Sequence, residues 1–138
     1  MKNYKIDKNV TKEEVGLIDQ KIEEFNFSKT GIDDSKPLNL ALRDENGNLV
    51  GGLVGMTCYG WFYISFLWVE EKLRGGKLGQ KVLLEAEKEA KERGCKNSCL
   101  TTFTFQAQAF YEKNGYKIFG ELEDYPENES LFFMRKKL

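Results

Sequence analysis

The sequence predicts a mixed α/β domain, a single sheet with helices packed on it. Three observations carry that expectation. Apolar residues recur at helical spacing in two long stretches; they alternate or run together in short segments elsewhere; and Gly, Asn and Pro punctuate the joints. At 138 residues the chain fits one domain, residues 1–138, large enough to bury about two-thirds of its unfolded surface.

Residues 3–8, "NYKIDK", alternate in polarity and predict a short edge strand. Thr11 stands three residues before Glu14, a capping box. The helix after it places Val15, Ile18, Ile22 and Phe25 at helical spacing. Gly31 and Pro37 bracket a loop, and "LNLALRD" at 38–44 alternates as a strand. "ENGN" at 45–48 holds Asn-Gly, a hairpin signal. The return strand "LVGGLVGMTCY" carries Gly51, Gly52 and Gly55, which indicate a bulge or a close backbone approach. Gly60 turns the chain into "WFYISFLWV" at 61–69, apolar enough for a central strand.

A glycine-rich loop follows. The helix after it lines Leu78, Val82, Leu83, Ala86 and Ala90 along one side and stops at Gly94, with Lys81, Glu85, Lys88, Glu89 and Glu92 facing water. "SCLTTF" at 98–103 is a strand, and "QAQAFYEKNG" at 106–115 a short helix ending in Asn-Gly. "YKIFGEL" is a strand, "EDYPENES" a loop and "LFFMRKK" the last strand. The predicted order is β-α-β-β-β-α-β-α-β-β.

Composition excludes several functions. Hydrophobic residues make up 41% and charged residues 31%, as in an ordinary globular protein. The formal net charge of −1 supplies no global field for nucleic acid or anionic lipid. The nine residues at 61–69 fall well short of the roughly 20 that a membrane helix needs. The polar N-terminus lacks the apolar core of a signal peptide, so cytoplasmic residence is the expectation. Three cysteines, Cys58, Cys95 and Cys99, form neither a disulfide framework nor a zinc site; they read as small residues half-buried near strands. The chain has no histidine. That removes Ser-His-Asp and Cys-His hydrolases, histidine-ligated zinc enzymes and histidine bases together.

The stretch "LRGGKLGQKVLLEAEKEAKERGC" at 73–95 sets Gly75, Gly76 and Gly79 before and into a helix start, among Lys72, Arg74, Lys77 and Lys81. A helix start exposes unpaired N–H groups and the positive end of the helix dipole. Glycines let the backbone curl close to an anion, so the combination suits a phosphate or diphosphate. A plain turn with solvated lysines is the alternative. Neither G-x-x-x-x-G-K-[ST] nor G-x-G-x-x-G occurs here, which disfavours nucleotide triphosphatases and dehydrogenases.

"LWVEEKLRGGKLGQKVLLEAEKEAKERGC" followed by "AFYEKNGYKIFGELE" resembles the GNAT superfamily of acyl-CoA-dependent N-acetyltransferases. There a strand leads into R-x-x-G-x-G or R-x-x-G-x-A and a long helix. Arg74 and Gly79 match the ends of that string; Lys77 stands where a middle glycine is usual, with Gly76 one place earlier. The second motif, A-x-x-F-Y-x-x-x-G-Y, matches Ala107, Phe110, Tyr111, Gly115 and Tyr116. Two motifs in the expected context and order are more specific than either alone.

The resemblance implies a GNAT-like α/β (α+β) fold: a mixed, mostly antiparallel central sheet splayed in the middle, with helices on both faces. It implies acetyl-CoA as co-substrate, no metal, and transfer of acetyl to a primary amine of a small molecule. The backbone of Gly75, Gly76, Lys77, Leu78, Gly79 and Gln80, with Arg74, would take the diphosphate. Leu67, Trp68 and Val69 would pair their backbone with the pantetheine arm. Thr104, Gln106, Ala107 and Phe110 would complete the coenzyme site, although Gln106 also reads as a helix cap. Tyr111 would serve as the acid beside the sulfur, or simply pack on the sheet. Glu70 is the candidate base, against its reading as an exposed loop glutamate. Tyr59, Trp61 and Tyr63 are candidates for an aromatic wall of the acceptor site, and Asp33 and Asp34 for attracting a cationic acceptor. Exposed strand edges offer a route to a homodimer. The alternative function is a non-catalytic CoA-binding or sensor module of the same fold; a cofactor-free interaction domain is a third.

Overall fold

Thr11 opens the first helix, α1 (Lys12–Thr30), by capping it. Its hydroxyl accepts the Glu14 N–H at 3.1 Å, and the Glu14 carboxylate accepts the Thr11 N–H at 3.2 Å. Gly31 closes the helix in the left-handed region at φ +67°, its N–H bonded to the Phe27 carbonyl. The computed structural model describes residues 3–138 and forms two compact units, Met1–Asp33 and Asp34–Leu138. The first unit holds α1. Residues 3–8, expected as an edge strand, are not one; Tyr4 and Ile6 are exposed. Alternating polarity permits a strand, but only a ladder partner makes one, and these residues pair with none.

The second unit is a six-stranded sheet: β1 (Lys36–Arg43), β2 (Leu49–Cys58), β3 (Trp61–Val69), β4 (Asn97–Phe103), β5 (Lys117–Glu123) and β6 (Ser130–Lys137). Its order is β1-β2-β3-β4-β6-β5, antiparallel throughout except for the parallel β3–β4 pair. The expected mixed, mostly antiparallel open sheet is what forms. Helices α2 (Leu78–Glu92) and α3 (Gln108–Lys113) and a 3-10 turn at Glu71–Leu73 complete the unit.

Pro37 lies inside β1 rather than in a loop before it. β1 is an edge strand, where a residue without an N–H costs no ladder bond. Asp44 organises the turn to β2 by accepting the N–H groups of Asn46 and Asn48, both at 2.9 Å, while Gly47 takes φ +85°. Tyr59 and Gly60 both adopt positive φ, the two-residue hairpin geometry that joins β2 to β3. A side chain at Gly55 would meet the Phe62 ring and the Tyr63 carbonyl at 2.7 Å, which accounts for glycine within a strand.

The core of this unit gathers Leu38, Leu53, Phe62 and Ile64 from β1–β3, Leu100 and Met134 from β4 and β6, and Val82, Leu83, Ala86 and Ala90 from α2. The predicted apolar stripe of α2 is therefore its packed face, except that Glu87 is buried there too. Cys58, Cys95 and Cys99 are free thiols.

Candidate active site

A bulge opens the sheet. Val54 faces Phe66 but Gly55 faces Ile64, so Ser65 is the extra residue in β3. Before it, Phe62 and Ile64 point into the core; after it the alternation steps by one, and Val69 becomes the buried residue. The parallel ladder between β3 and β4 ends at the Ile64–Leu100 pair. Beyond that point Ser65–Val69 and Thr101–Phe103 are not joined to one another, and the sheet splays as the resemblance implied.

The chain leaving β3 folds back at once. Arg74 donates its Nε–H to the Val69 carbonyl at 2.9 Å, tying the loop to the strand end. Gly75 takes φ +86°, and Lys77, the N-cap of α2, takes φ +65°. For a lysine the left-handed region costs about 1–2 kcal/mol. No side chain caps α2, and the bond from the Lys81 N–H to the Lys77 carbonyl, 3.0 Å, is the first of its ladder. The N–H groups of Leu78, Gly79 and Gln80 are thus the orphan donors of this helix, with Lys77 and Arg74 beside them. That donor set suits a diphosphate better than a single anion, because it is strung along a loop and a helix start.

Across the opening lies α3. Tyr111 is 6% exposed, with its ring edge-on to Phe110 at 5.2 Å and to Tyr116 at 5.6 Å. Burial pushes the phenol up to about 12 from its ordinary 10.0. Tyr111 is therefore a neutral hydroxyl at physiological pH, able to donate. The Asn114 side chain ties the helix end to its neighbours: its amide N–H donates to the Phe110 carbonyl at 2.8 Å, and its Oδ1 accepts from Gln80 on α2 at 3.1 Å.

These parts enclose a cleft of about 950 Å³. Leu67, Trp68 and Val69 line it from the splayed strand; Arg74, Gly75, Lys77, Leu78, Gly79 and Gln80 from the loop and helix start; Gln106, Ala107, Phe110 and Tyr111 from the third side. Three of the catalytic and coenzyme candidates lie outside the lining. Glu70 sits at the strand end with its carboxylate 3.7 Å from the Lys72 ammonium. Gly76 borders the Leu73 carbonyl. Thr104 is occupied by the β5–β6 connection: its hydroxyl donates to the Glu129 carboxylate and accepts the Ser130 N–H at 3.2 Å. Gln106 lines the cleft and also accepts the Phe103 N–H through its side-chain oxygen at 2.9 Å.

Sequence reasoning missed Leu73, Phe105, Ala109, Lys113 and Asn114, which also line the cleft. The last three occupy variable positions within or beside the second motif, so its span was the available signal. Phe105 follows β4 and stacks on Phe103 at 5.1 Å, a placement that only the turn into α3 creates. Tyr59, Trp61 and Tyr63 are exposed, and Asp34 accepts the Tyr59 N–H at 3.1 Å. Among the described residues no Asp or Glu lines the cleft, no cluster of three metal-ligating side chains forms, and no helix is long and apolar enough to cross a membrane.

Comparison with known proteins agrees with this fold. Residues 8–116 match the model of the Acetyltransferase (GNAT) family. The chain is 34% identical over 113 residues to the acetyltransferase Atu2258 of Agrobacterium fabrum, covering 82% of each chain. It is 34% identical over 114 residues to the blasticidin-S acetyltransferase of Streptomyces morookaense, covering 80% of this chain and 84% of that one. A crystal structure of an acetyltransferase from Bacillus cereus superposes with a TM-score of 0.89 at 35% identity, over 97% of this chain and 98% of that one. With the splayed sheet, the uncapped helix start and these relatives together, the chain belongs to the GNAT family and is an acyl-CoA-dependent acetyltransferase.

Proposed function

We propose that the chain moves the acetyl group of acetyl-CoA to a primary amine of a small molecule, with residues 1–138 working as one acetyltransferase domain. The observation that carries this reading is a single cleft bounded by the end of β3 that β4 leaves unpaired, the uncapped start of α2 and the Tyr111 hydroxyl. The N–H groups of the 75–80 segment receive the diphosphate, with Lys77 adding charge. The backbone of Leu67–Val69, on the side that β4 leaves open, pairs with the amides of the pantetheine arm, which brings the thioester toward Tyr111.

The amine nitrogen then attacks the thioester carbonyl. The new C–N bond forms, the C–S bond breaks, and the amine gives up one proton. A backbone N–H near Val69 polarises the carbonyl oxygen. Tyr111 donates a hydrogen bond to the departing sulfur. Complete transfer of its proton from about 12 to a thiolate near 8.5 would run uphill by about 5 kcal/mol, so the phenol stabilises the developing charge rather than holding it all.

With no carboxylate on the cleft wall, the amine must arrive with a free electron pair or pass its proton to water or to Glu70 at the strand end. That favours weakly basic amines. The relative named for blasticidin S makes that antibiotic the first acceptor to test. The reading takes the protein as a cytoplasmic enzyme that engages neither nucleic acid nor membrane, consistent with a net charge of −1. The open edges at β1 and β5 offer a homodimer contact.

The test is thiol release from acetyl-CoA over a panel of amines including blasticidin S, with products identified by mass spectrometry. A flat response across the panel, with coenzyme binding verified by calorimetry, overturns the reading. Tyr111→Phe should lower kcat about 10²-fold, and an unchanged kcat removes the phenol from the reaction.

A further inference from the structure

Three polar side chains are buried together behind Tyr111, with the half-buried Lys136 joined to them, and nothing in the proposed reaction uses them. Glu87 is 5% exposed, Tyr116 1% and Ser98 0%. The Tyr116 hydroxyl donates to Glu87 Oε2 at 2.7 Å and lies 2.8 Å from Ser98 Oγ. Glu87 Oε1 accepts from Lys136 Nζ at 2.8 Å, and that ammonium also stands 5.6 Å from the centre of the Tyr116 ring. Every buried side-chain polar atom among the described residues has a partner. One phenol is thus held from α2, β4 and β6 at once.

Such a network is costly to bury and does not add stability over an apolar core of equal volume. What it supplies is one fixed geometry. The element that needs fixing is α3. Six residues are too few for a helix to stand by itself. Its end is bound to Tyr116 through the backbone, since the Tyr116 N–H donates to the Tyr111 carbonyl at 3.0 Å. Gly115 makes this turn possible at φ +92°. The two rings also meet edge to face at 5.6 Å. Glu87, by contrast, is rigidly part of α2, the helix whose start carries the orphan donors.

We propose that Glu87 and Tyr116 are positioning residues: their buried hydrogen bond sets the Tyr111 hydroxyl in register with the start of α2, and so with the sulfur of a coenzyme held there. The inference rests on the reading of Tyr111 given above. Gln80–Asn114 joins the same two helices near the cleft. Glu87–Tyr116 is the second clasp, two turns further along α2, and two clasps fix an orientation where one would leave a pivot.

Tyr116→Phe keeps the ring and removes only the hydroxyl; Glu87→Gln keeps an acceptor and loses the charge. Tyr116→Phe should lower kcat about tenfold with the KM for acetyl-CoA within about twofold, the split expected when orientation and not binding is lost. Glu87→Gln should fall between it and the parent. In a Tyr111→Phe background, neither change should lower kcat further, because there is no hydroxyl left to position. An equal loss with and without the Tyr111 hydroxyl overturns the inference, as does unchanged kcat in Tyr116→Phe while Tyr111→Phe is impaired. Unchanged kcat in Tyr111→Phe removes the phenol from the reaction and overturns this inference with it, whereas a flat acceptor panel overturns the proposed function. A measurement independent of any acceptor uses protein labelled with 13C at the tyrosine ring and saturated with coenzyme A. The Tyr111 signal should shift or broaden in Tyr116→Phe and, to a smaller extent, in Glu87→Gln, at unchanged coenzyme affinity. A Tyr111 signal identical to the parent's in both variants overturns the inference. Should Tyr116→Phe fail to fold, Glu87→Gln carries both comparisons.

Discussion

The helix at Lys12–Thr30 is closed at both ends by its own sequence neighbours, whereas the helix at Leu78–Glu92 is held along its side and left open at its start. Thr11 and Glu14 satisfy each other's backbone at the first end, and Gly31 completes the other. In α2 the N-cap is a lysine in the left-handed region and no side chain reaches back. Its stability comes instead from Val82, Leu83, Ala86 and Ala90 in the core. A helix that spends its own side chain on its N-terminal donors has none to offer a ligand. The second plan leaves those donors free, and packing makes the omission tolerable.

The contrast can be broken at the packed face. Leu83→Ala, at a position 0% exposed, should destabilise the protein by about 2–5 kcal/mol, read from urea unfolding. A loss well under 1 kcal/mol would mean that α2 does not depend on its side. Thr11→Ala tests the other plan. Removing both capping-box bonds should cost about 1 kcal/mol and fray the first turn of α1, measured by hydrogen exchange of its early amides.

Lys77 allows a finer comparison. Lys77→Gly and Lys77→Ala lose the same charge, but only glycine accepts φ +65° freely. The glycine variant should be more stable than the alanine variant by about 1 kcal/mol, while both weaken coenzyme A binding to a similar degree. The smallest effect lies in the β1–β2 turn, another locally closed device. The Asn48 and Asn46 N–H groups, with the Asn48 side chain, hold the Asp44 carboxyl below its ordinary 3.8. Its contribution is therefore present above that value and lost as pH falls through the lowered one. Asp44→Asn should lower stability slightly at neutral pH, leave it nearly unchanged below the lowered value, and so flatten the acid side of the stability profile.

The same division explains which expectations succeeded. Capping box, Asn-Gly turn, central strand and α2 stripe depend on residues within a few positions of one another, and all formed where expected. The strand at 3–8 failed because a strand needs a partner that no local pattern supplies. Pro37 joined β1 because it is an edge strand, and edge status belongs to the sheet. In the candidate site, both motifs line one cleft, but Glu70 and Thr104 are turned to Lys72 and Glu129, and Phe105 and Lys113 enter instead. Glu87, which the pattern of α2 did not single out, is buried.

By itself the sequence determined most of the elements, the flexible loop before α2, the absence of histidine chemistry and the family. Each is written in neighbouring residues or in composition, where capping, turn geometry and apolar spacing are legible without a tertiary partner. Only the tertiary structure decided that Ser65 bulges, that β3 and β4 part after Ile64, and that Glu87, Ser98 and Lys136 converge on Tyr116. Those features join residues up to 49 positions apart. Their energies depend on burial and on simultaneous partners, and neither exists until the sheet has closed on its helices.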